Sequence, residues 1–186
     1  MALPFSPDKY DNCSKKCFDN TGGDFSVKGV LGGSELQLSY AASVMIDMAA
    51  QLTGESAVTI AGTYLIESNG GNLDPVNNFN PPTARYPSGT VDIGPMQLNY
   101  YPGSNQWSPD ALGTNRGSND TFNGNAWLNI FEGASYLKTL ADPGWYVSGA
   151  NPKPGSKAAA AAAGRDASLA KLAPDLTPFF NCLNGK

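Results

Sequence analysis

Glu67 closes a helix-patterned segment, Ser56–Glu67, and Ser68-Asn69-Gly70-Gly71 follows it at once. On a 3.6-residue repeat, positions 60, 64 and 67 share a face, so Glu67 projects from the same side as Ile60 and Tyr64. That is the side expected to meet the core. A carboxyl at the inner edge of an apolar face, near a helix C-terminus, feels both desolvation and the negative end of the helix dipole. Both favour the protonated acid. A carboxylic acid that keeps its proton at mild pH is what the cleavage of a glycosidic bond asks of its general acid.

An inverting glycosidase also needs a second carboxylate, set across a gap wide enough for water. Asp92 is the first choice, because Val91 and Ile93 flank it as on an alternating strand and Gly94 and Gln97 lie beside it. An Asx-turn or hairpin role is an equal alternative for it. Asp74 comes second, since Asp74-Pro75 reads as turn chemistry. Glu132 reads as a surface or helix-pairing charge, and Glu35 and Glu55 as helix-start acids. The chain has no histidine, which excludes a Ser-His-Asp triad, a Cys-His dyad and the commonest zinc sites. No metal and no organic cofactor is implied.

The elements that must position these groups follow from pattern. Residues 1–33 read as irregular, punctuated by Pro4, Pro7, Gly22-Gly23 and Gly32-Gly33. Ser34 with Gln37 looks like a capping box opening a helix that runs to Gly54. A second helix spans about 55–68. From Gly70 to about Asn119 the chain is rich in Gly, Pro, Asn and Ser, and is too long for a structureless loop. A short β-hairpin or twisted ribbon is expected there. A third helix spans about 125–140, with one apolar stripe through Trp127, Ile130, Phe131, Ala134 and Leu137. A second stripe holds Asn129, Gly133, Tyr136 and Leu140. Gly133 within a helix implies close packing there, by another helix ahead of a ligand. A fourth helix, about 157–172, ends before Pro174, and a short last segment carries Phe179, Phe180 and Cys182.

Three segments, in this order, resemble the lytic transglycosylase and goose-type lysozyme group of the lysozyme-like superfamily. Ile66-Glu67-Ser68 is similar to its catalytic Glu-Ser, and Gly94-Pro95-Met96-Gln97-Leu98 to its Gly-Leu-Met-Gln segment. The run Asn129 to Leu140 resembles its Asn-Ile-x-x-Gly-x-x-Tyr-Leu-x-x-Leu helix. The resemblance covers roughly residues 40–165. It implies a mainly α, α+β fold in which a helical lobe and a small β-ribbon or loop lobe flank a groove. It makes Glu67 the acid and sets Gln97 against a sugar, with Met96 behind it and Tyr136 lining the groove floor. Asn99 and Tyr100 complete the expected substrate contacts. Departures are visible: Pro95 stands for Leu, and Asn99 stands where goose-type enzymes carry a carboxylate. Ala160–Gly164 aligns with an Ala-Tyr-Asn-Ala-Gly element, leaving no Tyr there to support the acid.

Composition bounds the rest. The 186 residues suit one domain, with 41% hydrophobic and only 15% charged residues. A formal charge of −4 argues against nucleic acid or an anionic lipid surface. No apolar run approaches the roughly 20 residues that span a bilayer. Three cysteines, Cys13, Cys17 and Cys182, lack metal-knuckle spacing. Pairing Cys13 or Cys17 with Cys182 would tie the two ends together, and a local Cys13–Cys17 pair is the alternative. Low charge and the sequons at Asn12 and Asn119 lean toward a secreted protein, and Met1 followed by Ala-Leu-Pro looks like an expression start on a mature N-terminus.

Loop aromatics (Tyr86, Tyr100, Tyr101, Trp107, Trp145 and Tyr146) among Asn, Gln and Ser suit a glycan surface. The sequence therefore points to a monomeric, secreted endo-β-1,4-glycosidase acting on a polysaccharide of peptidoglycan or chitin type. A lytic transglycosylase and an inverting β-1,4-mannanase with a lysozyme-like fold are the enzymatic alternatives. A lysozyme-like carbohydrate-binding protein without catalysis is the alternative of another class.

Overall fold

In the computed structural model the described residues are 24–31, 34–68, 70–73, 78–84, 86–101, 106–107, 125–147 and 151–185. The architecture is α+β, with four helices and two small antiparallel sheets among these residues. Strands β1 (Asp24–Leu31) and β2 (Ser34–Ser39) form a hairpin. Helices α1 (Tyr40–Thr53) and α2 (Ala57–Glu67) follow. A four-stranded meander holds β3 (Asn78–Asn80), β4 (Thr90–Ile93), β5 (Leu98–Tyr101) and β6 (Gln106–Trp107), each paired with the next. Then come α3 (Ala126–Thr139), a 3₁₀ turn (Pro143–Val147) and α4 (Lys157–Leu183).

Two expectations are overturned at the N-terminal side. Residues 24–31, read as irregular, form β1, and the helix expected from Ser34 starts only at Tyr40. The strand pattern is present in the sequence: Ser34-Glu-Leu-Gln-Leu-Ser alternates polar and apolar residues, which suits a pleat and not a helix. Leu36 and Leu38 point into the core. The cap is Ser39, whose hydroxyl accepts from the Ala42 amide at 3.1 Å. Gly54, at φ 71°, closes α1 in the left-handed region, and Lys138 Nζ of α3 donates to its carbonyl at 2.8 Å.

The end of α4 also departs from expectation. The helix passes through Pro174 and Pro178 and runs 27 residues, about 40 Å at 1.5 Å per residue. Each internal proline costs roughly 3 kcal/mol through a missing donor and a ring clash. The segment that tolerates them buries Leu172, Leu176, Phe179, Phe180 and Leu183, at roughly 1.5–3 kcal/mol per side chain. Core burial outweighs the breakers. Asn184, just past the helix, donates to the buried Asp47 of α1 at 3.0 Å. Cys182 is disulfide-bonded; Cys13 and Cys17 lie outside the described residues, as do Asp74, both sequons and residues 108–124.

The core gathers Ile46 and Ala49 of α1, Ile60, Tyr64 and Leu65 of α2, Ile130 and Leu137 of α3, and the α4 residues above. The meander contributes one face to it. Ile93, Leu98 and Tyr100 are buried, with Val91 packed beside them. Strand alternation turns Asn78, Asn80, Thr90, Asp92 and Asn99 to the other face. No helix among the described residues is long and apolar enough to cross a membrane.

Candidate functional site

Glu67 is the last residue of α2, with Ile60 and Tyr64 fully buried below it on the same face. The exit from the helix is fixed by several bonds. Tyr64 Oη donates to the Gly71 carbonyl at 2.6 Å, and the Gly71 amide donates to the buried Ser68 hydroxyl at 2.9 Å. The Gln37 amide of β2 donates to the Gly70 carbonyl at 3.0 Å. Gly71, at φ 110°, lies so close to the Gln37 carbonyl that a side chain would collide with it. The end of α2 is thus held by the first hairpin, and Glu67 is held with it.

Helix α4 delivers the partner of that carboxyl. Gly62 of α2 leaves room for Leu169 of α4, and from that contact the chains run antiparallel to the ion pair between Glu67 Oε1 and Arg165 Nη1. The Glu67 side chain is 19% exposed and the Arg165 side chain 2%. The guanidinium lies over the Tyr146 ring, 4.9 Å from its centroid. Tyr146 donates its hydroxyl to the Met96 carbonyl at 2.8 Å. Its ring stands 5.3 Å from that of Tyr136, at 52°.

Burial raises the Glu67 carboxyl above its ordinary value; the Arg165 charge and its hydrogen bond oppose the rise, and the charge of Asp92 adds to it. Desolvation wins over the ion pair. Tyr146 is pushed well up by burial of its hydroxyl, then by Glu67, with Arg165 opposing and Tyr136 and Asp92 adding. These couplings bring Glu67, Asp92, Arg165 and Tyr146 into one electrostatic cluster.

Asp92 sits on the polar face of the meander and is gripped by two amides. Asn80 Nδ2 donates to its Oδ2 at 2.9 Å, and Asn99 Nδ2 to its Oδ1 at 2.6 Å. Asn99 Nδ2 also reaches Thr90 Oγ1 at 2.8 Å. Two donors on two neighbouring strands fix both carboxyl oxygens, which a solitary turn aspartate would not need.

The turn Gly94–Gln97 joins β4 to β5 and is pinned from behind by α3. Asn129, fully buried, donates to the Ile93 carbonyl at 2.8 Å and accepts from the Met96 amide at 2.7 Å. Gly94, at φ 70°, packs directly on the Asn129 amide group, so a Cβ has no place there. Gly133, one turn along α3, receives the Met96 side chain. The close packing expected at Gly133 is supplied by Met96 of this turn. Gln97 is left-handed at φ 47°, strained for a residue with a side chain. Its Nε2 donates to the Gly94 carbonyl at 2.9 Å, and its Oε1 accepts from Asn78 at 2.5 Å.

The expected site residues divide. Glu67 and Asp92 lie within electrostatic reach of each other, and Glu67, Asp92 and Gln97 are each partly open. Asn99 has its amide nitrogen committed to Asp92 and Thr90, so it orients the carboxylate. Tyr100 is corrected: strand alternation turns it inward, where it is 4% exposed within the core. Tyr136 is likewise buried, at 8%, behind Tyr146 and not on an open floor. Glu132, read as a surface or pairing charge, is buried. The side chains of Tyr101 and Trp107 lie outside the described residues.

Arg165 and Asn80 carry site roles that sequence reasoning passed over, and Tyr146, expected on a glycan-facing surface, instead packs under Arg165 and bonds the Met96 carbonyl. One signal existed for Arg165: Ala162, Arg165, Leu169, Leu172 and Leu176 share the inner stripe of α4 at helical spacing. A lone arginine on an apolar stripe needs an internal counter-charge. Asn80 and the packing of Tyr146 on Arg165 have no such signal, because they follow from chain segments meeting in space. Among the described residues no group of three His, Cys, Asp or Glu could hold a metal ion. Comparison with models of known families, with curated proteins and with solved structures returns no match.

Proposed function

We propose that the chain is a β-1,4-glycosidase with a lysozyme-like arrangement of a helical lobe and a ribbon lobe. In this reading Glu67 protonates the glycosidic oxygen as the bond to the anomeric carbon breaks. Asp92 accepts a proton from the water that attacks that carbon from the opposite face, giving inversion. The observation that carries the reading is the pairing of a mostly buried Glu67, raised above its ordinary value by desolvation, with an Asp92 oriented by two amides. The meeting of the Gly94–Gln97 turn with Asn129 and Gly133 of α3 supports the resemblance on which the fold assignment rests.

The substrate class follows from the resemblance: an N-acetylhexosamine polymer, peptidoglycan or chitin. The uncharged amide face of Asn78, Asn80, Gln97 and Asn99 suits a neutral hydroxyl-rich polymer equally, and mannan is the second substrate to test. The disulfide at Cys182 supports an oxidising, extracellular setting.

One observation favours the non-catalytic alternative. The ion pair with Arg165 stabilises ionised Glu67, the form that cannot donate a proton. Product analysis on peptidoglycan, chitin oligomers, chitosan and mannan decides between them. An enzyme turns over at least one polymer and loses that turnover by orders of magnitude in Glu67→Gln and Asp92→Asn while retaining binding. Binding without turnover in the unmodified protein would refute catalysis. Anomeric NMR of early products separates an inverting hydrolase from a transglycosylase, whose products end in 1,6-anhydro sugars and need no water.

A further inference from the structure

Arg165 has an unusual balance of contacts for a buried arginine. Residue 165 is 5% exposed, yet among the described residues only one edge of its fork, Nη1, meets a carboxylate. No group among the described residues accepts from Nε or Nη2. The face of the guanidinium is taken by the Tyr146 ring, and that ring is anchored in turn through Met96. The cation is therefore clamped in orientation by an aromatic face and directed at one acceptor, Glu67.

We propose that Arg165 is the positioning residue of the acid: it fixes the Glu67 carboxyl in the site and sets the highest pH at which Glu67 still holds its proton. The kinetic part of this proposal rests on the glycosidase reading. As Glu67 hands its proton to the leaving oxygen, negative charge develops on its own carboxyl. A guanidinium already in place stabilises that charge without reorganising, so the acid donates more readily. The same interaction makes Glu67 lose its proton at lower pH in the free protein, which narrows the working range from the basic side. Arg165 thus trades pH range against acid strength.

The other groups facing the pair do not duplicate this role. Asp92 of β4 acts on Glu67 in the opposite sense. Tyr146 of the 3₁₀ turn is itself pushed far up, and Tyr136 of α3 stands behind it. Asp166, next to Arg165 on α4, is engaged with Asp142 and the Gly144 amide. Among these groups Arg165 supplies the one positive charge.

The test combines two readouts on the full chain. The first is the pH profile of kcat/KM for the unmodified protein, Arg165→Lys and Arg165→Met on whichever glycan is turned over. The second is ¹³C NMR titration of the Glu67 carboxyl, assigned by its loss in Glu67→Gln. In Arg165→Met the basic limb should move up by about one pH unit or more, the size of an opposite-charge contact. The Glu67 resonance should titrate correspondingly higher, and kcat should fall at least tenfold. Arg165→Lys, which keeps the charge without the fork, should shift the limb less than half as far. A uniform loss of rate with both the limb and the NMR titration unmoved would overturn the proposal. If Arg165→Met does not fold, Arg165→Gln, which removes the charge but keeps a polar side chain, decides in its place: a resonance titrating where it does in the unmodified protein, with an unmoved limb, overturns the proposal. If no glycan is turned over, the glycosidase reading falls, and the NMR titration alone still supports or overturns the effect of Arg165 on Glu67.

Discussion

Replacing Asn129 with Ala removes both bonds that hold the Gly94–Gln97 turn from behind. The Ile93 carbonyl loses a donor at 2.8 Å and the Met96 amide loses an acceptor at 2.7 Å. Asn129 is fully buried and Met96 is too, so water does not replace either partner without opening the core. Leaving a buried polar group unpaired costs about 1–3 kcal/mol, so two such groups cost about 2–6 kcal/mol. Some relaxation of the turn brings the expected loss to about 3 kcal/mol. For a domain of this size that lowers Tm by roughly 6–12 °C. The assay is urea unfolding followed by tryptophan fluorescence, with Cm falling and the slope unchanged. The strained φ of Gln97 loses its support in the same variant, so turnover should fall more than stability requires at a temperature where the variant is still folded. Asn129→Asp sharpens the result, since it keeps an acceptor for the Met96 amide but faces the Ile93 carbonyl with a carboxylate; it should be no more stable than the Ala variant. A change below 0.5 kcal/mol (roughly the scatter of neutral surface substitutions) would refute this account of the turn.

Three further outcomes follow from the same contacts. Glu67→Ala strands the Arg165 charge in the interior and should destabilise by about 3–5 kcal/mol, whereas Glu67→Gln, which keeps an acceptor, should cost under half as much by chemical denaturation; equal losses would show that the ion pair does not hold Arg165. Asp166 is raised by burial and then by Asp142, so its ionisation opposes folding: the stability it contributes is full at acid pH and is lost as pH rises through its folded value. Asp166→Asn should therefore raise Tm at neutral pH, with a gain that shrinks toward acid pH; a gain independent of pH would exclude carboxyl repulsion as its cause. Gly133→Ala puts a methyl against Met96 and should destabilise by about 1 kcal/mol, although Ala is the better helix former, and in a Met96→Ala background the same substitution should cost much less. Additive losses in the double variant would place the strain elsewhere.

Much of the helical frame was legible because helix caps and apolar periodicity are local. Ser56 and Asn125 open α2 and α3 close to where the sequence puts their starts, and Ser156 opens α4. The failures share one physical cause. At 34–39 a capping signal competed with strand alternation, and pairing with β1 decided for the strand. At Pro174 and Pro178 a local breaker competed with burial of Phe179 and Phe180, and the core won. Local preference yields wherever burial supplies the larger free energy.

For the site, the sequence by itself determined that Glu67 ends a helix on its apolar side, that Asp92 is flanked by apolar Val91 and Ile93, and that no histidine chemistry is available. Tertiary structure decided what surrounds them. The Gly62–Leu169 contact sets α4 against α2 and so brings Arg165, 98 positions away along the chain, onto Glu67. Strand register puts Asn80 and Asn99 on the same carboxylate, and alternation turns Tyr100 to the core. Periodicity along one element states which side of it is buried. The identity of the group met on that side depends on how the elements pack, and that is fixed only when distant segments share one interior.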